Sequence, residues 1–298
     1  MSKNIHDMAL AYHKEGIPGK IDVSSHKKLD NDQDLSLAYS PGVAAPVREI
    51  AKDPSQVNQY TIKGNLVAVI TDGSAVLGLG NVGPLAAKPV MEGKAVLFKY
   101  FANINAFNIE LDTQEVDEIV STIKNIAPTF GGINLEDISA PRCFEIEERL
   151  IKELDIPVFH DDQHGTAIIV AAGLLNALEI QGKSVTAAKI VVAGGGSAGI
   201  ATLDLLVSLG FKKENMLLVD RRGVVSKEQI SIVNKYKAAF AVDTDKKTLG
   251  DAINGADVFI GVARGNLVTQ EMIKSMAKKP IIFALSNPDQ LGTVLSCF

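Results

Sequence analysis

Between Lys189 and Asp220 the chain runs as strand, glycine turn, helix, strand and terminal acid, and that order leaves few folds open. Lys189-Ile-Val-Val-Ala193 is a short apolar run rich in β-branched residues, and Gly194-Gly-Gly196-Ser197-Ala198-Gly199 has the G-x-G-x-x-G spacing. Ile200 to Leu209 carries a helical pattern closed by Gly210, and Met216-Leu-Leu-Val-Asp220 is a second strand. A lone glycine motif says little, but in this order the glycines free a helix N-terminus to receive a pyrophosphate. Asp220 lies 21 residues past Gly199, close to the roughly 20 at which an acid meets the ribose hydroxyls of NAD, so NAD⁺ is expected to be favoured because the acid repels a 2′-phosphate, with Arg221 and Arg222 directly after it as the groups that could neutralise one. Two further strands, Asp257 to Gly261 and Ile281 to Leu285, alternate with helices around Lys247 to Ile253 and Thr269 to Lys278, which extends a parallel sheet. The chain is therefore expected to be α/β, with an N-terminal α/β domain over residues 1–163 and a Rossmann-type, doubly wound, parallel-sheet dinucleotide-binding domain over residues 164–298. Candidate cofactor-binding residues are Gly194, Gly196, Ser197, Ala198, Gly199 and Asp220, with Asn287 at the end of the last strand.

Upstream, residues 131–166 gather acidic side chains where an ordinary α/β core has none: GGINLEDISAPRCFEIEERLIKELDIPVFHDDQHGT. Phe130 to Asn134 reads as a strand leading into Glu136-Asp137, and Ile156 to Phe159 as another leading into His160-Asp161-Asp162, with a helix over Pro141 to Leu154 between them. Neighbouring side chains inside a strand point to opposite faces, so paired acids converge only where the strand is turning into a loop. Ser139-Ala140-Pro141 and Gly165 supply such exits. One acid pair is ordinarily a solvated loop, or an N-cap for the helix expected near Gly165. Two pairs at successive strand ends repel unless a cation holds them, and oxygen ligands suit Mg²⁺ or Mn²⁺. His160 and His164, four apart, offer zinc as the weaker alternative.

At 298 residues and 46% hydrophobic content, the chain can bury a core in each of two domains. A net charge of −5 without a long basic run argues against a nucleic-acid partner. Only Cys143 and Cys297 are present, the N-terminus is polar, and no apolar run approaches a membrane span, so a cytoplasmic protein without membrane contact is expected. Ile5 to Glu15 is helical, and the turn-rich, charged stretch after Gly16 is an exposed arm, of a kind that packs on a second subunit or lies as a plain surface loop. Tyr39 ends a short apolar segment before Pro41-Gly42, a setting that on its own suits a core or rim tyrosine. Leu66 to Thr71 is a strand ending in Asp72-Gly73-Ser74, followed by the small-residue run LGLGNVGP. On the helix from Leu85, Lys94 sits beside Gly93 and an apolar run, where partial desolvation lowers an amine toward the range of a useful base; the ordinary alternative is a snorkelling surface lysine.

Taken in order, AYSPGVA, TDGSAVLGLGNVGP, PVMEGKAVLFK, NLEDI, VFHDDQHGTA, VVAGGGSAGIA and FALSNP resemble the malic enzymes, most closely the short bacterial type. The resemblance runs from about residue 10 to Pro288. It implies oxidative decarboxylation of malate to pyruvate and CO₂ with NAD, or possible use of NADP, and Mg²⁺ or Mn²⁺, by a homodimer. By position it makes Tyr39 the catalytic tyrosine, Lys94 the catalytic lysine and Asp161 the acid supporting that lysine; Tyr39 and Lys94 also contact substrate. Glu136, Asp137 and Asp162 match the metal ligands, and Asn287 a substrate-binding asparagine. Two departures stand out. Ser74-Ala75-Val76 occupies the neighbourhood where long eukaryotic-type members carry a malate-binding arginine, and DQLGTVLSCF does not resemble the family's continuation past the SNP motif, so a C-terminal segment is expected to be missing. The related malolactic reaction, from malate to lactate with bound NAD, and an inactive nucleotide-binding remnant are the alternatives.

Overall fold

The computed structural model describes residues 5–76 and 79–286. The chain divides into two compact units, one of Met1–Asp72, Pro84–Asn134 and Leu150–Val158, the other of Gly73–Gly83, Leu135–Arg149 and Phe159–Phe298. Among the described residues no helix is long and apolar enough to cross a membrane.

Four short helices come first: α1 (Ile5–Lys14), α2 (Asp32–Ala38), α3 (Ala44–Lys52) and α4 (Val57–Tyr60). The apolar segment ending at Tyr39 is thus helical, because Asn31 caps it by accepting from the Asp34 amide and Asp32 and Asp34 favour its N-terminus. Next come β1 (Leu66–Thr71), α5 (Pro84–Ala102), β2 (Asn105–Glu110), α6 (Val116–Ile126), β3 (Gly132–Leu135), α7 (Arg142–Glu153) and β4 (Val158–His160). The strands form a sheet of order β2-β1-β3-β4, with β1 and β2 parallel. The strand β3 is buried along its whole length, which is why Gly-Ile-Asn-Leu reads as a continuous rather than an alternating pattern. On α6, Ile119, Val120 and Ile123 are buried at helical spacing while Asp117, Glu118 and Lys124 lie on other faces.

The helix α8 (Asp161–Gln181) follows β4 directly and ends at Gly182 in the left-handed region. It begins at Asp161 rather than near Gly165, as the sequence reading expected, since two acids are favoured in a first turn by the helix dipole. The remaining elements are β5 (Ile190–Ala193), α9 (Ser197–Ser208), β6 (Met216–Asp220), β7 (Gly223–Val224), α10 (Lys235–Ala238), α11 (Leu249–Ile253), β8 (Val258–Gly261), α12 (Gln270–Lys274) and β9 (Ile281–Ala284). Their sheet has the order β7-β6-β5-β8-β9, parallel throughout except for β7. The order reverses at β5, which makes the C-terminal end of that strand the place for a ligand. The edge strand β7 was not foreseen. It folds back after Asp220, and Gly223, at φ +102°, lets it lie so close that a Cβ there would stand 2.1 Å from the Lys247 carbonyl oxygen. Phe259, Ile253, Val191 and Ala252 anchor the core beneath this sheet.

Candidate active site

The two acid pairs that follow β3 and β4, Glu136-Asp137 and Asp161-Asp162, both belong to the second unit. Glu136 and Asp137 leave the end of β3 buried, only 5% and 4% exposed, and Asp137 takes a positive φ of 54°. That turn breaks the strand's alternation, as two neighbouring acids require. The Asp137 amide donates to Oδ2 of Asp162 at 2.7 Å, and the Asp137 carbonyl accepts from the Ala75 amide at 2.9 Å. Ser139 donates its amide to Oγ of Ser74 at 2.9 Å, so the Asp-Gly-Ser loop is pinned against the corner. Asp161 and Asp162 occupy the first turn of α8. The Asp161 carboxylate folds over Gly165, where a Cβ would meet its Oδ1 at 2.2 Å; the glycine four residues on therefore makes room for the acid rather than ending a strand.

Behind the acids lies a polar layer that sequence reasoning missed. Glu147 of α7 is 5% exposed and accepts from the His160 amide at 2.8 Å, from Nε2 of Gln163 at 3.0 Å and from Nε2 of His164 at 2.9 Å. His164 is raised above its ordinary pKa by that Glu147 hydrogen bond, against the opposing effect of burial. His160 is fully buried, and burial lowers its pKa although Asp162 and Glu147 pull it up; its Nε2 stands 3.9 Å from Oδ2 of Asp162. Burial, then the nearby Asp162 charge, push the Cys143 thiol up to about 12, so it is inert as a nucleophile at neutral pH. The zinc alternative loses ground here, since His164 is engaged by Glu147.

Among the described residues no three His, Cys, Asp or Glu side chains are drawn together as a formed metal cage. The carboxylates that the resemblance matches to a metal, Glu136, Asp137 and Asp162, are hard oxygens and suit Mg²⁺ or Mn²⁺ in kind.

A cavity of about 710 Å³ opens on this corner, lined by Asp137, Asp161 and Asp162 on one side and by Ser197, Ala198 and Ser286 on the other. Ser197 and Ala198 open α9, whose Gly196 N-cap makes no side-chain cap, so its first amides face outward as a phosphate site does. The helix begins at Ser197, three residues before the start expected from the sequence, since only Gly194, at φ +129°, is needed to turn the chain. Gly199 packs against that turn, where a Cβ would sit 1.8 Å from the Gly194 oxygen.

Asp220 ends β6 as expected, but not as an isolated charge. Nζ of Lys237, on α10, lies 2.7 Å from its Oδ2, and the Arg222 amide donates to its Oδ1 at 2.8 Å. Burial pushes this carboxyl's pKa up, and those hydrogen bonds outweigh it, leaving the value below the ordinary one. The Lys237 side chain also crosses Gly195, its Cε 2.8 Å from where a Cβ would stand.

Tyr39 and Lys94 belong to the first unit. Tyr39 caps α2, exposed, and Gly42 beyond it cannot carry a side chain because a Cβ would lie 2.5 Å from the Ser36 oxygen. Lys94 is half-buried on α5, one turn beyond the buried Met91. The turn before it is pinned by Lys20, whose amide donates to Glu92 at 3.0 Å and whose amine donates to the Pro89 carbonyl. Asn287 lies outside the described residues.

Comparison with known proteins matches the chain in two consecutive stretches. The family model described as malic enzyme, N-terminal domain, matches residues 18–151, and that described as malic enzyme, NAD binding domain, matches residues 163–294. The chain is 58% identical over 281 residues to an NADP-dependent malic enzyme of Halomonas elongata, covering 94% of this chain and 66% of the relative. It is 53% identical over 287 residues to an NAD-dependent malic enzyme of Rhizobium meliloti, covering 96% of this chain and 37% of that one. The crystal structure of malic enzyme from Pyrococcus horikoshii superposes with a TM-score of 0.90 at 45% identity, covering 96% of this chain and 69% of that one. The chain thus spans from about a third to about two thirds of the length of these relatives.

Proposed function

The chain belongs to the malic enzyme family, and on that premise we propose that it oxidises and decarboxylates malate to pyruvate and CO₂, reducing NADP⁺ or NAD⁺ with the help of Mg²⁺ or Mn²⁺. The observation that carries this reading is the single cavity shared by the acid corner and the N-terminus of α9, because hydride transfer needs substrate and dinucleotide side by side.

Glu136, Asp137 and Asp162 are the residues to hold the divalent ion, and Gly194, Gly196, Ser197, Ala198 and Gly199 those to hold the pyrophosphate. A divalent ion held there would supply Lewis-acid polarisation of the C2 oxygen of malate and an electron sink for the loss of C4 as CO₂, and a dinucleotide held at the glycine turn would supply the hydride acceptor. Lys94 takes the proton of the C2 hydroxyl, and Asp161 keeps the supporting role that the family resemblance assigns to it. Tyr39 returns a proton to C3, which gives pyruvate. One proton leaves the substrate and one is delivered, so the reaction releases none overall. Asn287 contributes to substrate binding, and the active form is a homodimer.

A 2′-phosphate is accommodated in this reading, because Lys237 neutralises Asp220 and leaves Arg221 and Arg222 exposed beside it. The test is product stoichiometry with malate and Mn²⁺: pyruvate and reduced nicotinamide formed in equal amounts support the proposal. Lactate without net reduction assigns the malolactic reaction instead, and dinucleotide binding without turnover assigns a binding protein.

A further inference from the structure

We propose that Glu147 is a positioning residue for the acid corner: its buried carboxylate fixes the first turn of α8 and so the placement of Asp161 and Asp162. The inference rests on the metal-assisted reading above, but it is built from this chain's own side chains. On α7, Cys143, Ile146 and Leu150 form a buried stripe at spacings of three and four, and Glu147 stands inside that stripe. A carboxylate there loses its water, a cost that an apolar residue of similar size avoids, so its presence calls for donors that use it.

Those donors all come from one place. The His160 amide reaches Oε1 at 2.8 Å, Nε2 of Gln163 reaches Oε2 at 3.0 Å, and Nε2 of His164 lies 2.9 Å from both oxygens. His160 is the N-cap of α8, and Gln163 and His164 complete its first turn, so the contacts bracket Asp161 and Asp162 on both sides in sequence. The N-cap itself supplies no side-chain hydrogen bond, which leaves this helix end to be tied from outside. An anion at that end is also favoured by the helix dipole. Without Glu147 the first turn frays, and the two acids lose the directions set by the Asp137 amide and by Gly165. A glutamine at 147 keeps the shape but presents an amide N–H₂ to groups that are themselves donors.

The test uses the full chain with Glu147→Gln, and with Gln163→Met as a milder variant in case the first does not fold. Amide exchange is followed in the metal-free protein, Mn²⁺ alone is titrated by electron paramagnetic resonance, and NADP⁺ binding is measured by calorimetry. Exchange at residues 160–164 should accelerate while that of β5 stays unchanged, and Mn²⁺ affinity should fall by about 10- to 100-fold with NADP⁺ affinity preserved. Wild-type values for both exchange and Mn²⁺ affinity in the variants would overturn the proposal. So would equal losses in β5 exchange and NADP⁺ binding, which describe general loosening. If the unaltered protein binds no Mn²⁺ yet Glu147→Gln frays residues 160–164, the metal reading fails and the positioning role stands.

Discussion

The main-chain amide of Asp137 donates a 2.7 Å hydrogen bond to Oδ2 of Asp162, joining the end of β3 to the first turn of α8. It does so from a left-handed backbone, φ 54°, which costs an L-residue roughly 1–2 kcal/mol, although Asp tolerates it better than most. The twist turns two adjacent buried acids out of strand geometry at the point where a third acid arrives. Strand, loop and helix thus contribute one polar atom each to a corner that faces the same cavity as the dinucleotide turn.

Gly199→Ala should injure the dinucleotide site first. Its new methyl would stand 1.8 Å from the Gly194 oxygen, a backbone atom that cannot rotate away, so destabilisation of about 1–3 kcal/mol is expected. Thermal unfolding and NADP⁺ calorimetry check it. Unaltered stability together with unaltered affinity would mean that the turn has slack this geometry does not allow.

Cofactor discrimination should depend on Lys237. With Lys237→Ala, Asp220 loses its cationic partner and keeps only the Arg222 amide, so its negative charge is no longer balanced and kcat/KM for NADP⁺ should fall about 10- to 100-fold, the worth of a hydrogen bond to a charged group, while that for NAD⁺ changes little. Parallel losses for both dinucleotides would remove Lys237 from specificity.

Much of this was legible in the sequence. The strand-glycine-helix-strand-acid order identified the second sheet because each part has a local signature, and β1 and β6 fall where periodicity put them. Helix starts shifted by three or four residues at Asp161 and Ser197, since acids and small residues are equally at home in a first turn and in a loop. Glu147 left a trace that periodicity makes readable, a charge within an apolar stripe, but its meaning depends on a helix that follows 14 residues later. Lys237 had no comparable trace: its partnership with Asp220 comes from the return of the chain through β7 and α10, which no short-range rule specifies.

His164 offers a pH test of the polar layer. The Glu147 hydrogen bond raises its pKa above 6.5, so the stabilisation from this pair is complete below the unfolded value of 6.5 and is lost as pH rises through the higher folded value. In an NMR titration Glu147→Gln should move the His164 midpoint downward. An unmoved midpoint would show that Glu147 is not the group His164 senses.

Lys94→Ala and Tyr39→Phe should fail at different steps. Loss of the general base should slow malate oxidation by about 10²- to 10⁴-fold, whereas Tyr39→Phe should spare decarboxylation of supplied oxaloacetate and slow protonation of enolpyruvate. Malate oxidation, oxaloacetate decarboxylation and enolpyruvate protonation are assayed on each variant. Equal losses in all three for both would reject the division of labour.

The most direct measurement is malate-dependent formation of reduced nicotinamide by Asp137→Ala in saturating Mn²⁺, paired with NADP⁺ calorimetry on the same protein. Asp137 supplies a carboxylate to the proposed metal corner, while the proposed pyrophosphate site lies at Gly194, Gly196 and the start of α9. The account predicts that turnover disappears and NADP⁺ affinity stays close to that of the unaltered chain. Turnover at the unaltered rate would contradict it.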